Sequence, residues 1–195
     1  MRKIFLHIAV SIDGFIQTSD NSLDWQFVDD DFEEYVNTVL RSIDTMIFGR
    51  VSFELLAQYW PTAAENPAAA VDPSNPARHI EAAHMMDSLQ KIAVSKTMKK
   101  TDWNNSRIVS DTAELEKLKA EPGRDIALFA GGNLASSLMR LGLIDEYRLL
   151  IYPALLGGGT PLFQGGYGVS HLKLIESRIF ASGAVLLTYR PLTAA

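Results

Sequence analysis

The stretch from Leu128 to Phe163, LFAGGNLASSLMRLGLIDEYRLLIYPALLGGGTPLF, leaves this chain few ways to fold. A short apolar run, Ile126 to Phe129, reads as a buried strand. It breaks at Ala130-Gly131-Gly132, and leucines at 134, 138 and 141 then recur at intervals of four and three, one apolar stripe along a helix. Gly142 ends that helix, because a residue without Cβ takes the left-handed cap cheaply. A second apolar strand, Glu146 to Tyr152, follows, and Pro153 limits its pairing.

Strand, diglycine, helix is also a physical device. Two residues without Cβ let backbone N–H groups approach an anion, and the helix N-terminus behind them adds roughly half a unit of positive charge. The same residues equally make a tight strand-to-helix turn that binds nothing, and a lone diglycine does not choose between the two.

The rest of the chain extends this pattern. Lys3 to Val10 is a first strand, apolar enough to be central in a sheet, and Ser11-Ile12-Asp13-Gly14 is a turn before Phe15-Ile16. Residues 17–24 are loop by composition. Asp29-Asp30-Asp31 precedes Phe32, Tyr35, Val36, Val39, Leu40 and Ile43, an amphipathic helix with acids at its N-terminus. Thr45 to Phe48, Ile92 to Ser95 and Ile108-Val109 read as strands, and Ser52 to Gln58 and Thr112 to Lys119 as helices. Pro61 to Pro76 is rich in Pro, Ala, Asn and Asp and reads as a surface excursion. Leu172 to Phe180 and Ala184 to Arg190 flank Ala181-Ser182-Gly183 as a hairpin. Strands alternate with helices until that hairpin closes the sheet antiparallel, a mixed α/β fold.

Composition narrows the function. The chain of 195 residues suits one domain, and its 47% apolar content is ample for a core. A net charge of −5 disfavours broad nucleic-acid binding. Cysteine is absent, which removes disulfides, thiolate metal sites and a cysteine nucleophile. The N-terminal MRKIFLHIAV is too short for a secretory signal, and no apolar run approaches the roughly 18 residues that span a bilayer. The expectation is a cytoplasmic protein with neither membrane nor nucleic-acid partners. His7, His79, His84 and His171 are scattered without metal-ligand spacing, so no metal is expected, and His79 and His84 read as solvated. Gly157-Gly158-Gly159-Thr160 lacks the lysine of a Walker loop and reads as a connector; no serine sits in a G-x-S-x-G elbow.

Three strands end in small or basic residues where a helix or loop begins: Gly49-Arg50-Val51-Ser52, Ser95-Lys96-Thr97 and Gly131-Gly132-Asn133. Ligands of open α/β sheets sit at the carboxyl ends of strands. Two cations, two glycine turns and several hydroxyls suit a molecule with several phosphates. Taken singly, Lys96 also reads as a solvated lysine and Arg50 as half of a surface ion pair.

In order and spacing these motifs resemble the dihydrofolate reductase-like superfamily. The likeness is to stand-alone relatives of the C-terminal reductase domain of bifunctional riboflavin-biosynthesis deaminase/reductases. It is carried by Ser11-Ile12-Asp13-Gly14-Phe15-Ile16, Gly49-Arg50-Val51-Ser52-Phe53-Glu54, Ser95-Lys96-Thr97, Gly131-Gly132-Asn133-Leu134, Gly142-Leu143-Ile144-Asp145-Glu146 and Pro153 to Gly159. The resemblance implies a single dihydrofolate reductase-like domain over residues 1–195, with a mixed, mostly parallel sheet flanked by helices and a C-terminal antiparallel hairpin.

It further implies an NADPH-dependent reductase acting on a small heteroaromatic or imine-like substrate. Gly49, Arg50, Val51 and Ser52 would lie under the cofactor phosphates. Ser95, Lys96 and Thr97 would flank the adenosine 2′-phosphate. Gly131, Gly132, Asn133, Leu134 and Ala135 would hold the pyrophosphate, with a cis peptide in the diglycine, a form that costs about 3 kcal/mol. Ala9, Val10 and Ile16 would border the nicotinamide. Folate reductases bind the substrate through one acid on the first long helix, which makes Asp30 and Asp31 catalytic candidates, with Asp13 in the loop after the first strand. Their alternatives are N-capping and a turn. Trp25 and Phe27 line either the substrate pocket or the core. Two other readings stay open: a catalytically silent NADP-binding module, and the reductase step of riboflavin biosynthesis. The relatives are commonly dimeric, and Tyr147 to Tyr152 is the strand expected near such an interface.

Overall fold

The computed structural model describes residues 1–66, 68, 76–166 and 168–192. From the N-terminus the chain runs β1 (Ile4–Ser11), β2 (Phe15–Gln17), α1 (Asp30–Ser42), β3 (Ile43–Gly49), α2 (Arg50–Tyr59), a 3-10 helix (Trp60–Glu65), α3 (Ala77–Ser88) and β4 (Gln90–Val94). It continues with β5 (Ser106–Val109), α4 (Ala113–Ala120), β6 (Asp125–Leu128), α5 (Gly132–Arg140), β7 (Glu146–Tyr152), β8 (Thr160–Pro161), β9 (Leu172–Ile179) and β10 (Val185–Pro191). Two compact units result: residues 1–2 with 28–127, and residues 3–27 with 128–195.

In the first unit the strand order is β5, β4, β3, β6, and β3–β4 and β4–β5 are parallel. In the second the order is β1, β7, β10, β9, with β1–β7 parallel and both later ladders antiparallel. This is a mixed α/β fold, mostly parallel, flanked by helices and ending in an antiparallel hairpin. Met46, Ile47 and Phe48 of β3 and Ile92 and Ala93 of β4 are fully buried, as continuous apolar runs of parallel strands should be. No helix among the described residues is long and apolar enough to cross a membrane.

Capping explains where α1 begins. Asp29 is its N-cap, accepting the Phe32 N–H at 2.7 Å, and Asp30, Asp31 and Glu33 fill the first turn, where the helix dipole favours negative charge. Tyr35, Val39 and Leu40 face inward at helical spacing.

One buried cation was not foreseen. Lys91 is fully buried, and its Nζ donates to the carbonyls of Met86, Asp87 and Leu89 at 2.8, 2.7 and 2.7 Å. It closes the C-terminal end of α3, where carbonyls lack helical partners, and lies 4.9 Å from the Trp103 ring centroid. Burial pushes its pKa down to about 8, although Asp87 opposes that shift.

Three expectations change. The sequence pattern left residues 77–88 without an element, yet they form α3. His79, expected to be solvated, is buried there: its Nε2 lies 3.0 Å from the Tyr59 hydroxyl, and its ring stacks on Trp60 at 6.1 Å. The reason is local, since the 3-10 helix that carries Trp60 packs against α3; His84 is exposed. The diglycine has no cis bond: there is none among the described residues, and Gly131 enters α5 extended, at φ −67° and ψ 170°. A trans peptide makes this turn without the cis penalty. Of the excursion Pro61 to Pro76, residues 67 and 69–75 lie outside the described residues.

Candidate functional site

In the first unit, parallel pairing aligns two of the three motifs. Gly49 is the register partner of Val94, so Gly49-Arg50 and Ser95-Lys96 leave adjacent strands at the same carboxyl edge. Gly49 is the N-cap of α2 and has no side chain to satisfy the first N–H groups, which leaves that N-terminus uncapped. Arg50 is exposed and pairs with Glu54 at 2.7 Å, one turn along α2, while Val51 is exposed and Ser52 half-buried. The Ser95 Oγ accepts the N–H groups of Thr97 and Met98 at 3.2 and 3.0 Å, a turn that holds Lys96 outward. Lys96 and Thr97 are exposed, and Lys96 makes no hydrogen bond or ion pair among the described residues.

In the second unit the two glycines do different work. Both begin α5, and neither provides a side-chain cap. A Cβ on Gly131 would meet only Ile16 Cδ1, at an ordinary 3.7 Å. A Cβ on Gly132 would lie 2.6 Å from the Pro161 carbonyl oxygen and 2.7 Å from Gln164 Nε2, closer than packed atoms approach. Gly132 therefore admits the loop beyond β8, whereas Gly131 leaves its backbone beside Ile16. Asn133 is exposed, Leu134 half-buried and Ala135 buried. Val10 and Ile16 are buried, with Ala9 half-buried near the end of β1. Gly132→Ala is expected to destabilise by about 1–3 kcal/mol despite alanine's better helix propensity, whereas Gly131→Ala stays within about 0.5 kcal/mol of the parent. Urea unfolding midpoints check the contrast.

The acids are placed as follows. Asp13 is exposed, yet its carboxylate accepts four hydrogen bonds: from Ser11 Oγ at 2.6 Å, twice from the Leu156 N–H at 3.1 Å, and from the Gly157 N–H at 2.8 Å. The Ser11 hydroxyl, and then the Gly157 and Leu156 amides, hold its pKa below the usual carboxylate range despite some desolvation. Asp13 thus fastens the turn after β1 to the glycine connector, and at neutral pH it has no proton to give. Asp30 is exposed, and Asp31 half-buried, in the first turn of α1. Trp25 and Phe27 both stand edge-on to buried Tyr152, at 5.6 and 5.8 Å. Phe27 is 47% exposed, and the buried indole N–H of Trp25 has no acceptor among the described residues. Sequence reasoning missed the Asp13 clasp because its partners lie more than 140 residues away.

Comparison with known proteins gives this geometry its class. The model of the RibD C-terminal domain matches residues 2–186. The uncharacterized protein YyaP of Bacillus subtilis (strain 168) is 36% identical over 192 residues, 96% of this chain and 94% of that one. A pyrimidine reductase-like protein from Corynebacterium diphtheriae superposes with a TM-score of 0.65 at 14% identity, covering 99% of this chain and 93% of its own. A diaminohydroxyphosphoribosylaminopyrimidine deaminase/5-amino-6-(5-phosphoribosylamino)uracil reductase from Thermotoga maritima superposes at 0.67 and 12% identity, over 98% of this chain and 57% of that chain. The fold is therefore dihydrofolate reductase-like. The chain belongs to the RibD C-terminal domain family.

Proposed function

We propose that the chain is an NADPH-dependent reductase that transfers hydride to a small heteroaromatic or imine-like acceptor of the pterin, folate or pyrimidine kind. The observation that carries this reading is the strand-end pair in the first unit. The Gly49↔Val94 register sets an uncapped helix N-terminus beside the motif of an exposed lysine with no partner among the described residues. That is an anion site with its charge uncommitted. The uncapped N-terminus of α5, entered through a diglycine, is a second one suited to a pyrophosphate.

The likeness to the reductase family points to a dinucleotide carrying a further phosphate as the ligand of such sites. Lys96 would meet the 2′-phosphate as a point charge, with Ser95 and Thr97 offering hydroxyls. Arg50, already paired with Glu54, would turn toward the phosphates at small cost, since an exposed ion pair holds it weakly. Gly131 to Ala135 would take the pyrophosphate, while Ala9, Val10 and Ile16 would border the nicotinamide. NADPH supplies the hydride when bound.

Fluorescence titration tests the reading. Lys96→Ala is expected to weaken NADPH about 10- to 100-fold, one charge-assisted contact, and to leave NADH unchanged. Equal affinity of the parent protein for both cofactors would end the role given to Lys96.

One observation favours a second reading, a nucleotide-binding module without turnover. Asp13 is kept ionised and fully engaged, so it is a poor proton donor. Bound NADPH should be offered dihydrofolate, a pyrimidine ribosylamine and a set of quinones. Oxidation by any of them identifies a reductase, and oxidation by the ribosylamine alone identifies the riboflavin-pathway step. Retained cofactor with no oxidation identifies the module.

A further inference from the structure

The first unit carries an open groove that the proposed reaction leaves unused. One wall is the flank of α2 from Phe53 to Gln58, continued by Pro61, and the other is the segment 98–103 beyond the Lys96 motif. Its volume is about 600 Å³, within the range of small-molecule sites.

Both walls are held in place. Trp103 is buried, and its ring packs on Phe53 of α2 at 5.5 Å and on Phe48 of β3 at 6.2 Å. The Thr101 hydroxyl lies 2.8 Å from that of Ser106 and accepts the Trp103 N–H at 3.3 Å, while the Met98 N–H donates to Ser95 Oγ at 3.0 Å. Residues 98–103 are thus tied at both ends, and a ligand has little chain to order on binding.

The groove joins an apolar surface to a cationic rim. Phe53, Ala57, Met98 and Trp103 supply the first. Lys99 and Lys100 supply the second: both are exposed, and neither makes a hydrogen bond or ion pair among the described residues. The Gln58 amide has no partner among them either.

Two acids also line the groove, but they do not cancel this charge. Glu54 is answered by Arg50, which leaves Asp102 against two lysines. Lys91 adds to them through the wall, 4.9 Å from the Trp103 ring centroid, with its hydrogen bonds made to carbonyls and none to a carboxylate. Asp87 opposes Lys91, although its carboxylate accepts Asn104 Nδ2 at 3.0 Å. In a chain of net charge −5 the groove is a local excess of positive charge.

We propose that this groove binds a small organic acid, its aromatic or aliphatic body along Phe53, Ala57 and Met98 and its anionic group against Lys99 and Lys100. Neither half suffices alone. Salt screens exposed lysines, so a bare anion such as phosphate is held weakly, and a neutral apolar molecule leaves the rim unanswered. Binding here does not depend on whether the chain takes NADPH.

Fluorescence titration with two related probes tests the assignment: 8-anilinonaphthalene-1-sulfonate, and N-phenyl-1-naphthylamine, which lacks the sulfonate. The double variant Lys99→Ala/Lys100→Ala is expected to weaken the sulfonate about tenfold and to leave the neutral probe unchanged. Ala57→Phe, which fills the groove, weakens both, and Lys96→Ala, outside it, weakens neither. Far-UV circular dichroism checks that each variant is folded. A parent that binds no sulfonate, an affinity unmoved in the double variant or in Ala57→Phe, or a loss in Lys96→Ala as large as in the double variant overturns the proposal.

Discussion

Glu146→Ala is expected to cost about 3 kcal/mol of stability, seen as a lower urea midpoint with an unchanged slope. The carboxylate is almost fully buried at the start of β7, where its Oε1 accepts Arg148 Nε at 2.7 Å and its Oε2 accepts Arg190 Nε at 3.0 Å. Burial alone would raise its pKa. The hydrogen bond and charge of Arg148, and then those of Arg190, more than reverse this and hold it below the ordinary range. Arg190 is nearly half exposed and can turn to water when the acid is removed. Arg148 cannot do so readily: its guanidinium lies 3.7 Å from the Phe5 ring centroid, and its side chain is only 21% exposed. The cost is therefore that of one poorly solvated cation left without its counter-charge. Glu146→Gln keeps the shape and one acceptor and should lose less. Equal, small losses in both variants would show that the cluster contributes nothing.

Mild acid is expected to weaken the same unit before that carboxylate titrates. His7 lies opposite Arg148 across the β1–β7 ladder, edge-on to Phe129 at 5.4 Å. Burial, and secondarily the Arg148 charge, push its pKa down from 6.5 to about 3. The unfolded chain therefore binds a proton that the folded chain refuses. Stability from this site is complete above pH 6.5 and falls progressively as pH drops toward 3, a loss on the order of 4 kcal/mol. Glu146 adds its own loss only below its unfolded value of 4.5, as pH falls through its lower folded pKa. In His7→Phe the first part of this decline should flatten while the second remains. Urea unfolding at a series of pH values resolves the two; a variant that follows the parent through pH 5 would acquit His7.

What the sequence disclosed depended on how far each residue reaches. Asp29 to Asp31 could be recognised as a helix start because the Phe32 N–H that answers Asp29 is three residues away. Strands β3, β4 and β7 were legible as short apolar runs, and α4 as a short helix. Lys91 was not legible: a lysine next to an apolar run looks solvated until the turn after α3 folds its carbonyls around Nζ. Nor could the diglycine be divided, because what forbids a side chain at Gly132 is Pro161, far along the chain. At the candidate site the motifs gave positions at strand ends. They did not say that Arg50 has Glu54 while Lys96 has no partner among the described residues, since rotamers are settled by neighbours.

The pairing of β1 with β7 has a bearing on how the protein is made. Phe5 to Ser11 meet Glu146 to Tyr152, so β1, once it has left the ribosome, finds its mate only after some 140 further residues have been synthesised. Until then a nascent chain carries an apolar segment with nothing to bond to, a ready target for chaperones. A polypeptide whose translation stops before the second segment emerges keeps that liability for good, and degradation is its expected fate.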